Sequence, residues 1–182
     1  IDNFGTITRS NAGMYQIDLP IKNSTSSLYP TLLDLQSSLW ISGKSLNKTA
    51  NNSIYNAGGR TLIRNQSTLK SQGVLVSAGE LQTYGAGTAT LSKDDGFSGN
   101  LLTFTGGTLT ISADGQAQYG TLAVNGNMSW TGGTYEAYVV TGASTSKTTL
   151  AVQGNLNTTA GGHIHVSGIP LVFGVGESWD IV

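Results

Sequence analysis

Residues 121–127 read TLAVNGN and residues 149–155 read TLAVQGN, the same phrase at an offset of 28. Each copy passes through a Gly-Gly pair into a second strand-like run, TGGTYEAYVV after the first and AGGHIHV after the second. A unit this short cannot bury its own apolar face and has to stack on its neighbour. The chain is thereby constrained to a repetitive β architecture, in which near-identical units set like residues on like. Helical spacing is sustained nowhere, and strong helix formers are too thinly spread to compete.

Short runs with alternating apolar positions recur instead, closed by Gly, Asn, Asp or Ser. Tyr15, Ile17, Leu19 and Ile21 alternate strictly, with Pro20 suited to an edge or bend. Leu33 with Leu35, and Leu39 with Ile41, make the next runs. Residues 44–56, dense in Asn, are expected to bulge as a loop. Residues 93–100 are a second expected loop, because Asp94, Asp95, Gly96 and Gly99 are turn formers. Gly-Gly pairs begin at Gly58, Gly106, Gly132 and Gly161, with spacings of 26 and 29 among the last three. Glycine suits such corners because a tight bend often needs a positive φ. A propeller blade needs about 40 to 45 residues, longer than this period. Spacing alone leaves a β-sandwich open, but tandem near-identity favours a parallel β-helix. Its interior is expected to hold Leu122, Val124, Leu150, Val152 and Ile164.

Composition narrows the partners. Charged residues make up 10% of the chain, against about 25% in an average domain, so the surface is rich in hydroxyls and amides. A net charge of -1 without a basic block argues against nucleic acid, which is bound through clustered Lys and Arg. The same deficit removes the electrostatic route to anionic membranes. No apolar run approaches the roughly 20 residues of a membrane helix, so no membrane insertion is expected. With no cysteine, a disulfide framework or thiolate metal site is impossible, and no cofactor is expected.

His163 and His165, the only histidines, lie two apart on an expected strand and so share a face. Superimposing the two units sets Thr134 against His163, Tyr135 against Ile164 and Glu136 against His165. His163, His165 and Glu136 would then face outward, with Glu136 one coil from His165 and about 5 Å away, a candidate zinc or nickel site. The plainer reading is an exposed polar ladder. Asp94 and Asp95 are the acids closest to a glycosidase or lyase pattern. Hydrolysis needs carboxyls about 5 to 5.5 Å or 6.5 to 9.5 Å apart, which adjacent turn residues rarely reach, and no catalytic residue is assigned. Trp130 and Tyr138 are candidate sugar-stacking residues, with core packing the plainer alternative. The Thr-X-Thr pairs (Thr108 with Thr110 is one) suit outward strand positions. Asn23-Ser24-Thr25 and Asn127-Met128-Ser129 are glycosylation sequons of a kind that arises readily in this composition.

The phrases IDNFGTITRS, GGTLTIS, TLAVNGNMSWTGGTYEAYVV and GESWDIV resemble the repeats of large exported bacterial surface proteins, the parallel β-helix adhesins and autotransporter passenger-like proteins. The resemblance covers most of the chain, least in 44–56 and best from Leu101 onward. It implies right-handed coiling, an extracellular or cell-surface location and an adhesive or structural role, and it carries no catalytic residues. The resulting expectation is an all-β chain, residues 1–182 forming a single right-handed parallel β-helix (solenoid) of about seven coils. It would be a segment of a longer array or a self-assembling filament subunit. Its expected partners are copies of itself or neighbouring coils. The alternatives are a carbohydrate-binding adhesin module contacting surface glycans and a polysaccharide-cleaving enzyme.

Overall fold

The computed structural model describes residues 1–11, 13–24, 32–36, 38–41, 52–64, 66–111, 120–140, 146–158 and 161–169. Strand makes up 74% of these residues and helix none, so the all-β expectation holds. The strands are β1 (Asp2–Asn3), β2 (Thr6–Arg9), β3 (Tyr15–Ile17), β4 (Ile21–Ser24), β5 (Leu32–Leu35) and β6 (Leu39–Ile41). Next come β7 (Ile54–Arg64), β8 (Thr68–Ser71), β9 (Val74–Tyr84), β10 (Thr88–Lys93) and β11 (Asn100–Thr110). The last are β12 (Gly120–Asn125), β13 (Asn127–Val140), β14 (Ser146–Val152), β15 (Leu156–Asn157) and β16 (Gly162–Ile169).

They form a curled, mostly parallel sheet with two ladders. One ladder takes β1 and β2, then β4 and β5, then β7, β9, β11 and β13, and ends on β15 and β16. The other runs β3, β6, β8, β10, β12, β14. The chain visits the ladders alternately, so each return adds a rung beside the previous one. Parallel pairing on this scale argues against a sandwich of antiparallel sheets. Among the described pairings, only β13 with β14 is antiparallel, Val139 lying opposite Lys147.

Register stacking produces the core. Leu39, Leu69, Leu91 and Val124 occupy one column of the second ladder, each buried. Leu81, Leu109 and Tyr135 do the same on the first. Burying each such side chain contributes about 1.5–3 kcal/mol. The twin TLAV phrases are β12 and β14, paired in register with Leu122 on Leu150 and Val124 on Val152.

A further column is mixed. Asn3, Asn23, Asn56, Val76, Phe104 and Trp130 stand one above another. Its asparagine end is a closed amide network. Asn3 Nδ2 donates to Asn23 Oδ1 (2.9 Å), and Asn23 Nδ2 donates to Asn56 Oδ1 (2.9 Å) and Thr61 Oγ1 (3.0 Å). Thr61 donates to Asn56 Oδ1, and Asn56 Nδ2 donates to the Glu80 carbonyl. Buried amides are tolerated because each finds partners.

Next to this column the chain bends at glycine. Gly79, Gly107 and Gly133 have φ of 77°, 79° and 84°. A Cβ on Gly107 would run into the Gly79 carbonyl oxygen, and one on Gly133 into the Phe104 ring and the Gly107 carbonyl. Ala78-Gly79 is the corner that a search for Gly-Gly pairs passes over, lying between those at Gly58 and Gly106.

Three expectations are corrected. The alternating run 15–21 is two strands, because Asp18, Leu19 and Pro20 turn the chain between β3 and β4, leaving Leu19 57% exposed. The Asn-rich segment 44–56 is not all loop. Residues 44–51 lie outside the described residues, but Ile54, Tyr55 and Asn56 begin β7, with the Asn56 amide satisfied indoors. Ile164 pairs with Tyr135 as expected, yet it is 45% exposed, since β13 is the only described strand beside β16. Residues 94–99 connect β10 to β11.

Candidate functional site

The outer face of β16 lies on that of β13 in the expected register, Thr134 opposite His163 and Glu136 opposite His165. His165 Nδ1 and Glu136 Oε2 are 2.6 Å apart, with His165 largely exposed. The pair is a hydrogen-bonded rung contact. Among the described residues no group of three His, Cys, Asp or Glu side chains is placed to hold a metal, so His163, His165 and Glu136 do not converge as a ligand set.

Of the two aromatic candidates, Trp130 is in the core, 4% exposed, stacked in register on Phe104. Its indole lies so close beneath Gly162 that a Cβ there would meet Nε1 and Cε2. Tyr138 is half-buried. Its N–H donates to Thr148 Oγ1 (2.8 Å), and Tyr135 OH donates to the same oxygen (3.3 Å). Burial, only partly offset by that hydrogen bond, pushes the Tyr135 phenol up to about 12.

Asp94 is buried and serves as an anchor. It receives a hydrogen bond from Gln72 Nε2 (3.2 Å) and an ion pair from Lys70 (3.7 Å), and its own N–H donates to the Ser71 carbonyl (2.8 Å). Asp95 lies outside, 3.4 Å from the same ammonium. One lysine thus bridges both carboxylates.

A second fixed charge pair sits between β5 and β7. Arg64 Nε and Nη2 bind Asp34 Oδ1 and Oδ2 at 3.1 and 3.0 Å, and Gln36 Nε2 donates to Asp34 Oδ2 (2.9 Å). The Arg64 guanidinium also lies over the Tyr84 ring, 4.8 Å from its centroid. Burial raises the Asp34 carboxyl, but the hydrogen bonds from Arg64 and Gln36 and the charges of Arg64 and Arg60 outweigh it. The net position is below the usual carboxylate range.

The anchored loop between β10 and β11 has a consequence the sequence does not show. It stands beside the corners that follow β12 and β14, and the three enclose a groove of about 310 Å³. Lys93, Phe97 and Ser98 line one side, and Asn125, Asn127 and Gln153 the other. Loop and corners were each legible as turns; their adjacency follows only from the stacking of rungs. No protein-family model, curated protein or solved structure matches the chain.

Proposed function

We propose that the chain is a rigid structural and adhesive segment of an exported bacterial surface protein or extracellular fibre, with its two ladders as faces of one closed right-handed parallel β-helix. The observation that carries this reading is the series of parallel pairings that steps from β1 through β4, β7, β9, β11 and β13 to β16, with local register shifts at β4–β7, β7–β9 and β11–β13. A solenoid of this kind is a stiff rod, stabilised by neighbour-to-neighbour contacts. Its low charge suits a surface exposed to ions and sugars more than to nucleic acid.

Extension of the rod by further rungs belongs to the same reading. The strands β1, β2 and β3 each pair with one described neighbour. Around them Ile1, Phe4, Met14, Tyr15 and Leu19 are 48–57% exposed. Apolar surface beside an unpaired strand edge is a template for another strand. A second copy seated there makes a heterologous contact that does not close, and therefore a filament. Electron microscopy with small-angle scattering tests both parts. A rod is expected, with particles that lengthen as concentration rises. A near-spherical scattering profile overturns the solenoid, and a strict monomer at high concentration overturns the self-assembly.

A further inference from the structure

We propose that the groove beside the loop between β10 and β11 is a saccharide site, selective for sugar units that carry a carboxylate. The volume, about 310 Å³, is at the lower end for small-molecule sites and suits one or two sugar rings. The lining has the chemistry that sugars use. Phe97 offers an apolar ring, Ser98 a hydroxyl, and Asn125, Asn127 and Gln153 carboxamides that both donate and accept. Among the described lining residues Lys93 carries the only charge, which favours an anionic ring over a neutral one.

The site is also held in shape. Phe97 N–H donates to the Asp94 carbonyl (3.1 Å), and Asp94 is tied to Gln72 and Lys70 on the rung below. On the far wall Asn127 Oδ1 accepts from Asn155 N–H (3.0 Å), and Gly154 N–H donates to the Gly126 carbonyl (3.2 Å). A groove fixed in this way spends little ordering entropy on binding. Insertions on one edge of a solenoid are where its binding surfaces form. The inference stands apart from the filament reading, because a rod that binds no sugar and a sugar binder that never stacks give different observations.

The test is titration of the intact chain with tri-galacturonate and with maltotriose, followed by calorimetry and by amide chemical shifts. Binding of tri-galacturonate at millimolar concentration or tighter is expected, with shifts confined to residues around Phe97, Asn125 and Gln153. Maltotriose should bind at least about tenfold more weakly. Lys93→Gln should erase that preference, and Gln153→Ala should weaken both ligands. Both side chains are exposed, so these variants should fold even if Phe97→Ala does not. No binding of either sugar, shifts elsewhere on the molecule, or equal binding that Lys93→Gln leaves unchanged would each overturn the proposal.

Discussion

Asn23 Nδ2 donates to Asn56 Oδ1 at 2.9 Å inside the protein, with both side chains fully excluded from water. The same column continues above as Val76, Phe104 and Trp130. One interior thus changes from an amide network to an apolar stack along its length. Asn56→Ala removes the acceptor used by Asn23 and Thr61 and leaves a small void. The expected cost is about 2–5 kcal/mol, read as a lower urea midpoint. A loss within experimental error would mean the network is replaced by water.

The glycine corners differ in what a methyl group would meet. Gly107→Ala combines a positive φ with the Gly79 carbonyl in its path, so the corner has to open. Gly96 also has a positive φ, but a Cβ there meets nothing within 4 Å. Gly96→Ala should therefore cost only the backbone term, about 1–2 kcal/mol, and Gly107→Ala clearly more. Equal melting temperatures for the two variants would refute the close approach of successive corners.

Asp34 ties acid stability to the Arg64 pair. Its folded value is depressed, so the stabilisation is fully present above its unfolded value, near about 4. It is lost as pH falls through the lower folded value. Because Arg64 is partly exposed, solvent screening holds the contribution to about 1–2 kcal/mol. Asp34→Asn should lower stability at neutral pH and flatten the acid limb of a stability-versus-pH curve. An unchanged acid limb would show that other carboxylates govern it.

Tyr135 acts at the opposite end of the scale. Its folded value, raised to about 12, gives stability that is whole below the unfolded value near about 10 and falls away as pH climbs towards the folded one. At full extent the effect is about 3 kcal/mol. Alkaline difference absorbance should show one tyrosine ionising late. Tyr135→Phe should remove that late step and reduce the alkaline loss of stability, and a wild-type titration without a late step would contradict the buried position.

Much of the architecture was legible in the sequence because its cause is local and repeated. Alternating apolar residues with glycine corners dictate strands and bends, and the offset of 28 dictates which residues lie one above another. The pairing of Glu136 with His165 and of Tyr135 with Ile164 follows from that offset. Residue type alone makes Trp130 a sugar-stacking candidate, whereas its exposure depends on which face the register turns inward. Asn56 looks like a loop residue in the sequence because Asn favours turns in isolation. Only partners from distant rungs, Asn23 and the Glu80 carbonyl, make it a buried strand residue.

By itself, then, the sequence determined an all-β chain of stacked, glycine-cornered units, since periodicity and backbone preference are properties of neighbouring residues. Tertiary structure alone decided the rest. It selected the interior of the Asn3–Asn23–Asn56 column, the burial of Trp130, and the groove between the Phe97 loop and two later corners. Each of these depends on residues about 20 to 60 positions apart meeting across the rungs, and whether an amide or an aromatic ring is inside or outside is settled by the partner it meets there.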